Sequence, residues 1–484
     1  MNTLTKKKKF GYALGIFAES MPYNMFYTYY LTFLIEIAKI KPSLASIVIF
    51  ISIAWDAITD PLIGAYGDSP KVNKNKMMKM SLIPLGVVFV LAWTAIGAGL
   101  TSQLAKVIVY SVITLLLWVF YTTYTIPYYA VVAEITEDYD ERTSIRSLAS
   151  LLNAVAIGLG NILPALVPTV MTLLGKKYET SAYAVIAGII SIGAIALGFV
   201  CCKSLNGVYE PKKNSDAKGI TVKETLQTFG DIFRLKPTKW FLVFIFFYLA
   251  GSSMIQSNLT YMVIDCIGMS YDDGIAIVIL SLVVFMAITV PIAEKIAMKT
   301  DRRFTCILFI SLVAVGEIIA KLIGLDATIG GFKVMCIVCP GLLGIAAGAF
   351  WTFFYTMGYD LVELDELKNG VRRESVITAL PQFFQKFGSA CGILIAGQML
   401  TVYGYDKSGD IAGNEALFAP VTDPHIISGM ENISTVIPAI LMIISVIGCI
   451  LYPMTRKNVD KVMTQLEKKR NGEDYSLDGL DRLL

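Results

Sequence analysis

The stretch IFISIAWDAITDPLIGAY, residues 49 to 66, is apolar except for two carboxylates near its centre. It belongs to a longer run, Ser43 to Tyr66, that is long enough to cross the hydrocarbon core of a bilayer as a helix. Asp56 and Asp60 are four residues apart, so a helix places them on one face, about 5–6 Å from each other. The stretch therefore predicts a membrane-spanning helix that carries a pair of acids.

The rest of the chain repeats this apolar pattern. Of 484 residues, 55% are hydrophobic and only 16% are charged, and the mean hydropathy is +0.63, which fits a bilayer rather than water. These runs predict an all-α polytopic membrane protein with about twelve transmembrane helices. The predicted spans are Phe10 to Ala38, Ser43 to Tyr66, Met77 to Thr101, Leu104 to Glu134, Ser147 to Leu174, Ala182 to Cys202, Trp240 to Ile264, Tyr271 to Ile296, Phe304 to Gly324, Phe332 to Val362, Ser375 to Tyr403 and Ile427 to Pro453.

The charged loops predict the orientation of these spans. Basic segments alternate along the chain, beginning with Lys6 to Lys9 and Lys71 to Lys76, and basic loops stay on the cytoplasmic side. We therefore expect a multi-pass protein of the cell membrane with both termini in the cytoplasm. The first span is too long for the core of a signal peptide and lacks a cleavage site, so we expect it to be retained.

The composition also limits the chemistry and the partners. The eight cysteines lie mostly within apolar runs, without the spacing of a disulfide framework or a metal site. We find no phosphate-binding Gly-rich Lys motif and no set of nucleophile, base and orienting residue, so we expect neither an enzyme nor a cofactor. A net charge of +3 does not imply nucleic acid. The expected partners are a small-molecule solute and the lipid bilayer, with a monomer as the functional unit.

The longest internal polar stretch, residues 203–239, separates six spans from six spans. We interpret it as a cytoplasmic linker between an N-terminal half, residues 1–202, that holds the cation site and a C-terminal half, residues 240–454. Residues 455–484 form a cytoplasmic tail, which we expect to begin as a solvated helix. Ala57 to Pro61 (AITDP) is echoed by Ala287 to Pro291 (AITVP) at the same place in the second half. Parallel repeats of six helices are typical of the major facilitator fold, in which two halves rock around a central substrate.

The two acids need a positive partner. An ionised Asp at the centre of a bilayer costs roughly 2.5–3.5 kcal/mol, and two like charges on one helix face repel each other. Carboxylate and hydroxyl oxygens suit hard cations, so Asp56 and Asp60, with a hydroxyl from Thr59 or Thr122, form a candidate site for Na⁺ or a proton. The structural alternative is an ion pair with a Lys or Arg across the bundle, or a cap at the cytoplasmic end of the span.

Other charged residues have predicted roles as well. Lys386 lies in the middle of the eleventh span, so we expect its ammonium to meet Asp56 or Asp60 or to face an aqueous cavity. Glu317 and Lys321 are spaced to pair with each other within the ninth span. Two charged cytoplasmic loops are candidates for a gate between the halves. Their residues are Asp140, Glu141 and Arg142 in one loop and Arg372 and Arg373 in the other.

Four stretches together resemble the glycoside, pentoside and hexuronide cation symporters, a family of the major facilitator superfamily. They are Trp55 to Pro61; Ile126 to Ala130 with Glu134 and Asp138 to Thr143; Asp360 with Asn369 to Glu374; and Gln385 to Gly388. In that family, two acids of the second helix and a Thr of the fourth hold the coupling Na⁺, Li⁺ or H⁺. The resemblance thus implies that role for Asp56, Asp60 and Thr122.

The resemblance also implies a sugar site at matching positions of helices one, four, five and eleven. These positions are Ser20, Thr125, Tyr129, Arg146 and Lys386. Galactoside-binding members have an Asp at the positions of Ser20 and Thr125, so this chain departs from their pattern. Glu19 adjoins Ser20, but successive residues of a helix point about 100° apart, so whether Glu19 supplies the missing acid is left open.

These observations predict a secondary active symporter that imports a sugar, glycoside or hexuronide by alternating access, driven by Na⁺ or H⁺. A second interpretation keeps the cation site but changes the cargo, since animal carriers of lysolipids resemble the same family. A third interpretation is a non-transporting membrane sensor or scaffold. The two acids and Lys386 argue against the third interpretation, because a scaffold has no need of costly intramembrane charges.

Overall fold

A computed structural model describes residues 5–67, 72–97, 99–135, 139–175, 179–209, 233, 235–370, 374–406, 420–477, 480 and 483. The described residues are almost entirely helical, apart from a two-stranded hairpin of Thr328–Ile329 and Phe332–Lys333. Most of the predicted linker, residues 203–239, lies outside the described residues.

The helices before this linker cover the first six predicted spans. They are α1 (Lys6–Ala13), α2 (Ile16–Glu36), α3 (Pro42–Gly67), α4 (Lys74–Ala92), α5 (Gln103–Ile135), α6 (Tyr139–Ile162), α7 (Val167–Leu174) and α8 (Ala182–Ser204). Gly15 separates α1 from α2, and a Cβ atom there would lie only 2.7 Å from the ring of Tyr128. The first span is therefore broken where α5 approaches its backbone.

The helices after the linker cover the other six spans and the tail. They are α9 (Lys236–Ser257), α10 (Tyr271–Lys299), α11 (Arg302–Ile323), α12 (Met335–Asn369), α13 (Glu374–Val402), α14 (Pro424–Ser434), α15 (Val436–Leu451) and α16 (Arg456–Arg470). A helical turn, Leu259–Tyr261, and a π-helical segment, Met262–Ile267, continue the course of α9. The all-α polytopic architecture predicted from the sequence is confirmed.

Ten segments among the described residues are long and apolar enough to cross a membrane. Helices α2 and α13 correspond to predicted spans but do not meet that measure. Helix α2 contains Glu19, Ser20 and Asn24, and α13 contains Gln385 and Lys386. Nearly all of α2 is buried by its neighbours, including Ser20, whereas Glu19 and Asn24 are partly exposed. The two least apolar spans are thus the ones that bring polar groups into the bundle.

In the described part of the chain, the two halves share an apolar core at one end of the bundle. The large apolar cluster of the first half continues into Met254 to Ile279 and Ala390 to Ile433, at the end opposite the chain termini. Towards the termini, the second half has a separate cluster of its own, which includes Phe241 and Phe354. Among the described residues, the shared core therefore joins the halves at the end away from the termini.

The tail is docked rather than solvated, so this expectation was wrong. Val462 and Leu466 of α16 are buried, and so are Leu480 and Leu483 beyond it, all in the core of the second half. Lys469 Nζ donates to the carbonyl of Leu367 at 2.6 Å, at the end of α12. The apolar stripe of α16 is difficult to recognise in the sequence because it lies among many charged residues. Packing against the second half buries it.

Candidate functional site

Asp56 and Asp60 project from α3 towards α5, where a threonine hydroxyl meets both of them. Thr122 Oγ1 lies 2.6 Å from Asp56 Oδ1 and 3.1 Å from Asp60 Oδ1. Because a hydroxyl has one proton, it donates to one carboxylate at a time, and the shorter distance favours Asp56. Asp56 is completely buried, whereas 29% of the Asp60 side chain is exposed. The pair therefore has one inner and one accessible acid.

Lys386 reaches this pair from α13 in the other half. Its Nζ donates to Asp56 Oδ2 at 2.6 Å and also to Asp60 Oδ2. The ammonium lies where both carboxylates converge, and 18% of the side chain is exposed. The ion pair across the bundle that the sequence left open is present. When both carboxylates are ionised, the cluster of two acids and one ammonium carries one net negative charge.

Thr59 does not join this cluster. Its hydroxyl donates to the backbone carbonyl of Asp56 at 3.2 Å, one turn back on its own helix. This local bond is a common alternative for a helical threonine. Among the described residues, no group of three or more His, Cys, Asp or Glu side chains could hold a metal ion.

Glu19 and Ser20 lie beside the acid pair on α2. Tyr121 of α5 donates to Glu19 Oε1 at 3.2 Å, and Ser20 Oγ contacts the other carboxylate oxygen of Glu19. The positive charge of Lys386 acts on Glu19 as well as on Asp56 and Asp60. The Glu19 carboxylate thus turns towards α5 and lies within reach of the positive charge of Lys386.

The structure shows fewer contacts with the acid pair for the other residues that the resemblance implies. Thr125 is buried on α5, one turn after Thr122. Tyr129 is 40% exposed, and its ring meets the edge of Tyr128 at 5.3 Å. Arg146 lies on α6, but its side chain lies outside the described part of the chain. Among the gating candidates, the side chains of Asp140, Glu141 and Arg142 also lie outside the described part of the chain, and Arg372 and Arg373 lie wholly outside it.

Two polar residues that were not predicted as site residues lie near Glu19 and Ser20. Asn153 of α6 contacts Ser20 Oγ through its side-chain oxygen. Tyr23 of α2 stacks on Tyr27 at 4.3 Å between ring centroids. An asparagine in a predicted span is itself a signal, because an amide is costly in lipid. The sequence could have identified Asn153 by that criterion, but not its neighbour on α2.

Hydrogen bonds between the halves are found at the end away from the termini. Gln256 Nε2 of α9 donates to Thr28 Oγ1 of α2 at 3.2 Å, and Tyr405 donates to Glu36. The backbone N–H of Ser43 donates to Thr401 Oγ1 at 2.9 Å. These contacts coincide with the shared apolar core described above. They hold α2 and α3 of one half against α9 and α13 of the other.

The predicted pair of Glu317 and Lys321 is absent. Lys321 pairs instead with Glu431 of α14. Glu317 is fully buried, next to the Cys339 side chain of α12. A spacing of four residues permits a contact, but a carboxylate on the neighbouring helix competes for the lysine.

A model of the family described as MFS/sugar transport protein matches residues 11–456. The isoprimeverose transporter of Lactiplantibacillus pentosus is 22% identical over 99% of this chain and 94% of that protein. The sodium-dependent lysophosphatidylcholine symporter 1 of Gallus gallus is 20% identical over 92% of this chain and 86% of that protein.

Solved structures show the same fold. A bacterial homolog of the human lysosomal transporter Spinster, in an inward-facing and unoccupied conformation, has a TM-score of 0.66 at 12% identity. That comparison covers 94% of this chain and 97% of the other. Because the family model spans most of the sequence, the chain belongs to the MFS/sugar transport protein family and is a membrane symporter of the major facilitator type rather than an enzyme.

Proposed function

We propose that this symporter imports a neutral sugar or glycoside, driven by Na⁺ or H⁺ bound at Asp56 and Asp60. The observation that carries the proposal is the contact of Lys386 with both acids, because it links the cation site of one half to the other half. A purely structural ion pair needs one carboxylate for one ammonium. Here two carboxylates share one ammonium, which leaves room for a mobile cation.

In this proposal, the entering cation and Lys386 compete for the same oxygens. Na⁺ would bind between Asp56, Asp60 and the Thr122 hydroxyl, whereas a proton would bind to one carboxylate. Either event reduces the attraction that holds the ammonium of Lys386 at the pair. Lys386 then becomes free to meet a substrate oxygen, and the bond between the halves weakens. Cation binding and substrate binding would thereby be coupled.

Alternating access follows from the position of the contacts between the halves. We propose that both termini are cytoplasmic, so that the contacts of Thr28, Glu36 and Ser43 close the outer end of the pathway. The structure would then correspond to an inward-open state. Opening the outer end requires the loss of these hydrogen bonds, and the charged loops around Arg142 and Arg372 remain our candidates for the opposite gate.

The cargo is proposed from the charge and chemistry next to the cation site. The described residues there provide three carboxylates, on Glu19, Asp56 and Asp60, against the single ammonium of Lys386. With one bound cation, these four side chains together keep one net negative charge, which disfavours the carboxylate of a hexuronide beside them. Carboxylates accept hydrogen bonds well from sugar hydroxyls. The relative that transports isoprimeverose supports a sugar as the cargo.

The test is uptake into proteoliposomes of labelled neutral glycosides, pentosides and hexuronides, with and without a Na⁺ gradient at two pH values. The same assay uses Asp60→Asn, with Asp460→Asn on the exposed face of α16 as the matched control. We expect gradient-driven accumulation of a neutral sugar that is lost in Asp60→Asn and kept in Asp460→Asn.

Other outcomes would redirect the proposal. Accumulation that survives Asp60→Asn would refute the cation site. If no sugar is accumulated but a labelled lysolipid is, the cation site stands and the cargo is wrong. Accumulation of a hexuronide in preference to neutral sugars would contradict the charge argument.

A further inference from the structure

The face of α6 that packs on α2 carries two asparagines with different surroundings. Asn153 and Asn161 are eight residues apart, so they lie on the same helix face. Between them, Gly160 brings the helices together, since a Cβ atom at Gly160 would lie 2.8 Å from the carbonyl oxygen of Met21. Both amides are therefore fixed against α2 by close backbone packing.

Asn161 is a satisfied structural residue. Its Nδ2 donates to the carbonyl of Ile157 at 2.9 Å, and its Oδ1 accepts from Thr28 Oγ1 at 2.7 Å. Its backbone carbonyl accepts from the hydroxyl of Tyr29 at 2.6 Å. Only 7% of the residue is exposed. No part of this amide is available to a ligand.

Asn153 is different, because it is only half-buried and one side-chain atom is used. Its Oδ1 contacts Ser20 Oγ, and among the described residues its Nδ2 has no hydrogen-bond partner. The hydroxyl of Ser20 also contacts the Glu19 carboxylate, and its single proton cannot serve two acceptors. All three groups are satisfied when the Asn153 amide donates to Ser20 and Ser20 donates to Glu19. In either amide orientation, one polar end of Asn153 is left open.

We propose that Asn153 is a specificity-determining residue that binds a hydroxyl of the transported sugar next to the one bound by Glu19. The inference rests on the proposed sugar cargo. A carboxylate accepts hydrogen bonds only, whereas an amide has both donor and acceptor atoms. The two side chains, bridged by Ser20, therefore match two adjacent hydroxyls, one that donates to Glu19 and one that exchanges a hydrogen bond with the amide.

The experiment measures transport of methyl glycosides and of their 2-deoxy, 3-deoxy and 4-deoxy derivatives. In the wild type, we expect one missing hydroxyl to raise KM about tenfold, the upper range for one hydrogen bond. Asn153→Leu should raise KM for the parent glycoside by a similar factor. In Asn153→Leu, removing the same hydroxyl from the glycoside should not raise KM further, because the side chain that binds this hydroxyl has been removed.

Asn432→Leu is the matched control, since Asn432 is an amide on α14 that donates to Tyr403 at 3.3 Å. It should keep the wild-type KM values and the wild-type response to every deoxy derivative. If Asn153→Leu does not fold, Asn153→Ser receives the same comparison, because its short hydroxyl removes the amide. A wild-type KM in the folded variant, or an unchanged penalty for every missing hydroxyl, would overturn the assignment. Failure of the wild type to transport any glycoside would instead overturn the proposed cargo, and this assignment with it.

Discussion

Among the described residues of the spans, the ionic groups of Lys386 and of Lys321 differ in what they connect. Lys386 of α13 binds Asp56 and Asp60 of α3, in the other half. Lys321 of α11 binds Glu431 of α14, in the same half. The first group crosses the boundary at which the halves move in a rocking transporter, and the second lies inside one of them.

The balance of charge separates the two groups further. Lys321 and Glu431 form one ammonium and one carboxylate, which neutralise each other. The group around Lys386 has an additional carboxylate and the hydroxyl of Thr122. A neutral pair inside one half needs nothing further, whereas an acidic cluster between the halves is suited to a mobile cation. The comparison therefore predicts that disrupting the group around Lys386 abolishes or reduces coupled transport. Disrupting the pair of Lys321 and Glu431 should lower stability and leave transport unchanged.

The largest effect is expected from Asp56→Asn, at the fully buried acid. Removing one partner from a buried ionic group typically lowers the free energy of unfolding by about 3–5 kcal/mol. This corresponds to at least a hundredfold change in the equilibrium constant. We expect cation-driven accumulation to be abolished, because the remaining acid is neutralised by Lys386. Accumulation in proteoliposomes under a Na⁺ or H⁺ gradient measures this, and accumulation at wild-type levels would contradict it. Asp460→Asn is again the control.

Lys386→Met should act in the opposite direction on cation binding. Without the ammonium, the two carboxylates lose their internal competitor, so we expect a cation to bind about tenfold more tightly, or roughly 1.4 kcal/mol. Coupled accumulation should nevertheless fall, because the link between the halves is lost. Titration of thermal stability with Na⁺, or with H⁺ if Na⁺ is inactive, measures the affinity. Weaker cation binding in this variant would show that Lys386 supports the site rather than competing for it.

For the pair inside one half, Lys321→Met should reduce stability and leave transport intact. The side chains of Lys321 and Glu431 are about one-fifth exposed, so we expect a cost of about 1–3 kcal/mol, below the range for fully buried pairs. KM and the accumulation ratio, per folded protein, should match the wild type. Lys457→Met, on the exposed surface of α16, controls for loss of a positive charge. A changed accumulation ratio would mean that this pair also takes part in the cycle.

The sequence predicted correctly those features for which the free-energy cost of exposing apolar runs to water, or of burying an unpaired charge, leaves few possible structures. Long apolar runs have little alternative to crossing a membrane, so the spans were predictable. A mid-span acid and a mid-span lysine each need a partner, which made the contact of Asp56 with Lys386 foreseeable. That their shared function is cation coupling stays a prediction.

The failures have a common physical cause, which is competition between local and tertiary partners. Lys321 has a carboxylate four residues away but binds Glu431, and the Thr59 hydroxyl remains on its own helix. Spacing alone cannot rank such alternatives, because the geometry of the neighbouring helix decides between them. Asn153 is a different case, because its amide within a span was a signal in the sequence, and only its position beside Ser20 depends on how closely α6 packs on α2.

The smallest effect is expected for an ionic pair outside the membrane spans, which extends the comparison to the surface. Arg470 of the tail holds Glu366, at the end of α12, through two hydrogen bonds of 2.8 and 2.6 Å. Arg470 is 42% exposed, so water screens the pair, and we expect Arg470→Ala to cost only about 0.2–1 kcal/mol. Leu466→Ala, which removes a buried side chain from the same helix, should cost about 2–5 kcal/mol. Thermal unfolding of both variants, with Glu366→Gln to complete a double-mutant cycle, measures the difference. If Arg470→Ala proved as costly as Leu466→Ala, the tail would be held mainly by charge, and its apolar stripe would not be the feature that docks it.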